Sequence, residues 1–517
     1  MNEDELIAKL RACVKTDVHG CLRSAELEEI SSVDAMEARA RRLATALAEA
    51  FFEAWTAVLQ TVAKDLGLRC PGCARARKCK RRLDQMMKVR LLGMDIAVPK
   101  LYLQCERCAA PGLSVTRLLT GLQSGDPSTE LKLVAAYSAA EHSYGKASQD
   151  IEAHHQQTVE RTAVRRIALQ VEQCAKDFAE KQRAAALCRI AGEARTQGVQ
   201  RLMLQGDGGS VRTGALAACE QGDAGYGKLT PKTKRPRRKR PAQKRELLTF
   251  DMRQPGQCEP AALDVMVPVE APPGERSRRM LALAARSALG DNTQVIGLGD
   301  LGSSLPSSFD EAFVGYDAFY SGDWKHVRDY VDAAGTVLVK LDIAPWQRGM
   351  LDAIWRRDAD RRDALLAQAR KHRMAKLPDH LDNKCPLHAL EHYVINNWQR
   401  MQAARLKDMG VDFVSARAEA QVRDRTKHRF SVPGAWRQQN IEGKATLRAI
   451  IAEGSWQDFR AYCLERATTD FQAGLRSRLV RAVAQGRLCA EASDAPTLLT
   501  DVAAATTPPA LDVDKAA

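Results

Sequence analysis

The 517-residue sequence predicts a multidomain protein of the α plus α/β class. Three observations carry this expectation. The N-terminal third is helical in pattern, two Cys-x-x-Cys pairs interrupt it, and from residue 196 onward short apolar strands end on Asp-Gly and Gly-Asp. A chain of this length accommodates two to four domains. Its 45% hydrophobic residues are enough to build cores, and its 27% charged residues argue against a disordered composition overall.

Residues 1–66 form the first expected region, which is helical. From Asp34 to Leu66, Ala, Leu, Phe and Trp recur at three- and four-residue spacing with no Pro or Gly. Such a helix packs on its own domain or, as the sharper alternative, pairs with a second subunit. Residues 67–112 change character: cysteine pairs bracket a basic run and two stretches, 88–92 and 96–103, that alternate like strands. Residues 113–195 return to helix, with Asp126-Pro127 as a helix start. Residues 196–325 read as an α/β core with strands at 202–205, 246–252, 262–269, 295–299 and 313–320 and a helix at 276–289. A helical insertion follows over 326–410. Further helices are expected at 415–426 and 440–452, within a 411–460 region. Residues 461–517 hold a C-terminal helix and a tail whose Ala, Thr, Pro and Asp suggest disorder from about 489.

No run of about 18 uncharged apolar residues is present, so no membrane-spanning helix is expected, and MNEDELIAKLRACVK lacks an apolar signal core. A cytoplasmic location follows as an expectation, and the 14 cysteines then need an explanation other than disulfides. Cys70, Cys73, Cys105 and Cys108 supply one. Two Cys-x-x-Cys knuckles separated by 31 residues can set four thiolates around one zinc ion. The strand-like segments between them suit a zinc ribbon. Four thiolates leave no open coordination position, so the zinc is structural; four free cysteines are the plainer alternative. Arg75, Arg77, Lys78, Lys80, Arg81 and Arg82 would surround the ribbon with positive charge.

The net charge of +14 favours a polyanionic partner. Two segments could bind it. The helices of 127–172 could form a helix-turn-helix whose third helix carries Arg161, Arg165 and Arg166 beside Thr158 and Thr162. A plain helical bundle is the alternative. The second segment, Lys232 to Arg245, holds nine basic residues and no acid, with Lys234, Arg235, Arg237, Arg238, Lys239 and Arg240 at its centre. Its prolines resist helix, and it reads as a phosphate-gripping loop or else a solvated one.

Asp207, in MLQGDGGSVR, and Asp300, in VIGLGDLGSS, each close an apolar strand. Carboxylates at the ends of neighbouring strands can hold divalent metals. Glu419, in FVSARAEAQVRDR, is placed to supply a third from a later helix. Three such acids suit two magnesium (or manganese) ions and phosphodiester chemistry. One metal activates a water or 3′-hydroxyl and the other stabilises the leaving oxygen. Gly208 and Gly209 leave room for a phosphate to approach. Taken alone, a strand-ending Asp-Gly is often a simple turn.

These motifs occur in an order that resembles bacterial insertion-sequence transposases with a ribonuclease-H-like core, related in layout to Mutator-type transposases. QGDGGSVRT (205–213) is similar to the family's first-aspartate motif, and the Gly-Asp of 299–300 to its second. Asp323-Trp324-Lys325-His326 matches the Asp-x-x-His signature that follows it. FVSARAEAQVRDRTKHRF is similar to the IGSG-x-VE block, and GAW (434–436) to the GMRW block downstream. The resemblance covers about residues 65–460. It implies a metal-dependent transposase acting on double-stranded DNA, with Asp207, Asp300 and Glu419 as catalytic metal ligands. His326 would contact a phosphate or orient a metal-bound water, with Asp323 positioning it; a core or surface histidine is the alternative. It further implies a dimer or larger assembly, no membrane partner and a bacterial, nucleoid-associated location. A catalytically inactive DNA-binding regulator and a nuclease on the same core are the rival readings. The chain departs from the family where Asp-Gly-Ala is replaced by Asp300-Leu301-Gly302 and GSG by Ser415-Ala416-Arg417.

Overall fold

A computed structural model describes residues 33–65, 69–192, 197–213, 243–374, 385–415 and 440–487, apart from 74, 76, 109, 111, 258, 269, 270 and 486, together with residues 420 and 430. The chain divides into two compact units. The first is Met1–Ala139, Ser143–Ala168 and Arg460–Ala517; the second is Ala140–His142 and Leu169–Phe459. Among the described residues no helix is long and apolar enough to cross a membrane.

In the first unit, β1 (Lys78–Leu91), β2 (Met94–Gln104) and β3 (Leu113–Ser114) form an antiparallel sheet in the order β1-β2-β3. The strands run well beyond the two apolar stretches legible in sequence, because the basic residues of β1 also join the ladder, from Lys78 opposite Gln104 onward. Gly93, at φ 77°, makes the tight turn between β1 and β2. Met87, Val89, Ile96 and Val98 alternate inward and pack on Ala48 and Phe52 of the helix Val33–Asp65. Farther along that helix, Leu59 and Ala63 meet Leu101, Leu103, Val115 and Leu118, with Leu475 and Ala482 of the helix Trp456–Ala484. Part of the apolar surface of the N-terminal helix is thus covered by its own unit, while Phe51 stays exposed.

The second unit is built on a mixed sheet of β4 (Arg201–Thr213), β5 (Gln243–Arg253), β6 (Ala262–Met266), β7 (Gln294–Gly299) and β8 (Asp317–Gly322). Their order is β6-β5-β4-β7-β8, with β4, β7 and β8 parallel and β5 and β6 antiparallel to their neighbours. Leu202, Leu204 and Val295 enter a large cluster on one face, whereas Met203, Ile296 and Leu298 pack against Leu406 and Val411 on the other. The parallel strands are therefore buried on both faces, which explains their nearly continuous apolar sequence.

Two expectations need correction here. Asp207 does not end its strand. Pairing with β5 carries β4 on through Asp207 to Thr213, past the point where its pairing with β7 stops at Gln205–Leu298. The strand expected at 313–320 begins later, at Asp317. Residues Leu305–Ala312 form a helix with Pro306 in its first turn, and Gly315, at φ 85°, turns the chain toward β8. The helices Trp324–Gly335, Ile343–Arg356, Ala359–Lys371 and Pro386–Asn396 contribute Val327, Trp346, Leu366 and Leu390 to the same cluster as the sheet. The region read as an insertion shares one core with the strands it interrupts.

Gly297 lies where β7 passes beneath an aromatic group. A Cβ there would come within 2.3 Å of the Tyr320 ring and 2.9 Å of the Phe309 ring, both buried. Gly297→Ala is expected to destabilise the second unit by about 1–3 kcal/mol through overpacking. Urea unfolding followed by circular dichroism checks this, and an unchanged midpoint would show that the rings can retreat.

Candidate carboxylate site and cysteine cluster

The two cysteine pairs converge. The Sγ atoms of Cys70, Cys73, Cys105 and Cys108 all lie within 4.8 Å of one another, with Cys70–Cys108 at 3.3 Å and Cys73–Cys105 at 3.5 Å. A tetrahedral ion held at about 2.3 Å from each sulfur needs sulfurs about 3.8 Å apart, so the cluster could hold a structural metal such as zinc with little adjustment. The knuckle backbones already favour thiolates. Burial opposes ionisation of Cys70, but the Gly72 amide and the thiols of Cys108 and Cys105 bring it down to about 6. The amides of Arg107 and Cys108 lower Cys105. Although the Ala110 amide pulls the other way, Cys70 and Cys105 push Cys108 up to about 12. The cluster thus favours thiolates at Cys70 and Cys105, the form that binds a metal ion.

At its far end the hairpin is fixed to the turn that precedes the arginine-bearing helix. The Gln157 side chain donates to Asp95 (2.8 Å) and accepts from the Gly93 amide (3.3 Å), while the Arg90 guanidinium donates to the Thr158 carbonyl. The helices Thr129–Glu141, Tyr144–His155 and Arg161–Gly192 follow in succession. Gln156, in the left-handed region at φ 51°, ends the second of them. Val164 and Ile167 face inward, and Arg161, Arg165 and Arg166 are exposed. Among the described residues none of these three arginines is ion-paired. The cations of β1 differ: Lys78 and Lys80 pair with Glu106, Arg81 with Glu53, and Arg82 with Asp84. Lys234, Arg235, Arg237, Arg238, Lys239 and Arg240 lie outside the described residues.

In the second unit Gln205 stands opposite Leu298, and Gly299 opposite Gly322. Continuing both parallel registers brings Asp207, Asp300 and Asp323 level on three adjacent strands. By strand alternation Asp207 shares the face of Met203, and Asp300 that of Ile296 and Leu298. Both are partly exposed. Asp300 Oδ1 accepts from the Gly302 amide at 2.9 Å.

Asp323 is fully buried and caps the helix Trp324–Gly335. It accepts from the Lys325 amide (2.9 Å), from His326 Nδ1 (2.9 Å) and from the Ser415 hydroxyl. Burial raises its pKa, but His326, Ser415 and the Lys325 amide outweigh that and hold the carboxyl below its ordinary range. The same end of the sheet fixes the chain that leads toward Glu419, since the Trp324 amide donates to the Phe413 carbonyl at 3.0 Å. Glu419 itself lies outside the described residues.

Sequence reasoning passed over the surroundings of Asp300 and the role of Ser415. Tyr320 is raised by burial and by the charge of Asp300, as are Tyr330 and Tyr393. No sequence spacing points to these tyrosines, which come from one strand and two helices. Ser415 had a signal, because it falls within the segment compared with the family's IGSG block.

No family model matches the sequence, and no curated protein matches it either.

Two outcomes are expected. The purified protein should contain one zinc per chain by elemental analysis. Cys73→Ser and Cys105→Ser should lose it and unfold the first unit at lower temperature; a metal-free wild type of undiminished stability would count against a metal role. Asp323→Asn should destabilise the second unit at neutral pH. A carboxylate with a lowered folded pKa stabilises fully above the unfolded value, about 3.9, and loses that contribution as pH falls through the folded value. The gap between variant and wild type in urea unfolding should therefore narrow in acid, as pH falls through the folded value of Asp323.

Proposed function

We propose that this protein is a DNA transposase of an insertion sequence. It binds terminal inverted repeats through the first unit, whose cysteine cluster holds zinc as a ribbon, and it cuts and joins strands at Asp207, Asp300 and Glu419 in a ribonuclease-H-like second unit. One observation carries the reading: continued two residues past the last pair, Gln205–Leu298, the parallel register brings Asp207 and Asp300 level, and strand alternation puts them on the same face. Neighbouring strands are about 4.8 Å apart, which suits carboxylates that share divalent ions about 4 Å apart. Ligands of open α/β sheets gather at the carboxyl ends of parallel strands, and that is the end where both acids stand. The segment preceding Glu419 is tied to the same end through Phe413 and Ser415.

Magnesium or manganese, when bound, supplies activation of the attacking hydroxyl and charge stabilisation at the leaving oxygen. The chain supplies the rest. Asp207, Asp300 and Glu419 hold the ions. His326 has Nδ1 committed to Asp323, so any contact it makes with a phosphate or water through a ring nitrogen runs through Nε2. Arg161, Arg165 and Arg166, exposed at the start of their helix, are disposed to enter a major groove, where the first turns of recognition helices meet base edges. The net charge of +14, with the run from Lys232 to Arg245, provides counterion-releasing contacts to the phosphate backbone. Two element ends require two active sites, so the working unit is a dimer or larger assembly in the bacterial cytoplasm.

The test is strand cleavage and joining on duplexes carrying the element's ends, in Mg²⁺ or Mn²⁺. Joined products are expected. Cleavage without joining would indicate a nuclease, and binding with no cleavage a DNA-binding regulator. Asp207→Asn, Asp300→Asn and Glu419→Gln should each reduce cutting to background while leaving duplex affinity intact. Ser415→Ala should lower cutting by roughly 10–100-fold, as loss of an outer-shell partner does. Full activity in an acid variant would remove that residue from the site.

A further inference from the structure

Beside Asp300 the second unit contains a cavity of about 1080 Å³, at the upper end of the roughly 300–1,000 Å³ typical of ligand sites. Its wall begins at Leu301 and Gly302, directly after Asp300. Gly302 keeps the boundary open: a Cβ there would lie 3.4 Å from Asp300 Oδ1 and 3.6 Å from the Tyr330 hydroxyl. Tyr330 and Tyr393 stack on each other across this wall, with centroids 4.1 Å apart and planes at 19°. Tyr393 is fixed from behind, since its hydroxyl accepts from the Leu301 amide at 3.3 Å. The pair forms an aromatic platform anchored to the loop that carries Asp300.

The charges select the ligand class. Glu391, which lines the cavity, is already paired with Arg370 at 2.8 Å. Arg373 lines it as well and makes no ion pair among the described residues. Among the described lining residues the one acid is thus already neutralised, whereas Arg373 can meet an anion. Asn396 and Asn397 each use one amide N–H, on His392 and on the Tyr393 carbonyl, leaving the second N–H and the oxygen of each amide for a ligand. An aromatic platform, a cation and amide acceptors together suit an aromatic, hydrogen-bonding anion.

We infer that this cavity takes one unpaired nucleotide, its base on Tyr330 and its phosphate on Arg373, from a strand that passes the carboxylates. The inference rests on the second unit being a strand-processing site. It adds that the nucleotide next to the reacting phosphate is held out of the duplex. Aromatic platforms bind bases of any sequence, because every base has a stacking face.

The test uses the full-length, zinc-containing protein in Ca²⁺ and EDTA-free buffer, with three probes. These are a blunt duplex, the same duplex with a short unpaired tail carrying 2-aminopurine, and 2-aminopurine deoxyribonucleoside monophosphate alone. The tailed duplex should bind at least about tenfold more tightly than the blunt one, the scale of one base stack, with quenched 2-aminopurine emission. Tyr330→Leu and Arg373→Ala should abolish both the quenching and the tail preference while blunt-duplex affinity stays unchanged, which also shows the variants are folded. Unquenched emission, or equal affinity for blunt and tailed duplexes, overturns the inference and leaves the proposed function standing. Quenching without any strand cleavage in Mg²⁺ supports the pocket and counts against the transposase reading. Saturation by the free monophosphate with no tail preference overturns the strand-derived ligand.

Discussion

Continued past their last pairs, the registers of three parallel strands bring Asp207, Asp300 and Asp323 level at one end of the sheet, and the one of them that is buried must find its support within the chain. Asp323, fully buried, has three donors, from the Lys325 amide, His326 and Ser415. Its charge is balanced internally, and its geometric work is to hold His326 and the approach to Glu419. Asp300 receives the Gly302 amide but remains partly exposed, as does Asp207.

The first unit shows a comparable division. Its cysteine cluster lies at one end of a hairpin, where backbone amides and neighbouring thiols concentrate negative charge. The other end is bonded through Gln157 and Arg90 to the turn before the exposed arginines. Order imposed at the cysteines is carried along β1 and β2 to the entry of the Arg161 helix. A metal held by the four cysteines would brace that end of the hairpin.

What could be read from sequence depended on whether the determining interaction was local. The cysteine cluster was legible because each Cys-x-x-Cys turn sets its own sulfurs, and the strands of 202–205 and 295–299 were legible because burial on both faces demands apolar runs. The extension of β4 past Asp207 was not, since it depends on pairing with β5, some forty residues away in sequence. The helix Leu305–Ala312 was missed because its short span holds only a few of the apolar positions that define helical period. Asp207 and Asp300 could be picked out singly, but their shared level is a property of register. The tyrosines around Asp300 and the Ser415 contact to Asp323 depend on tertiary packing that no spacing rule encodes.

The substitution of Leu301-Gly302 for the Gly-Ala that follows the second aspartate in the resembled transposases has a physical account in the same packing. Leu301 is buried in the main cluster, and a Cβ on Gly322 would meet its side chain at 2.6 Å. The larger residue is accommodated by a glycine on the neighbouring strand. The amide of Leu301 meets the Tyr393 hydroxyl, and Gly302 now supplies the amide that Asp300 accepts. Flexibility has moved one position along the chain, and the carboxylate keeps its backbone donor. The Leu301-Gly302 pair therefore leaves Asp300 with a backbone donor while Leu301 joins the core.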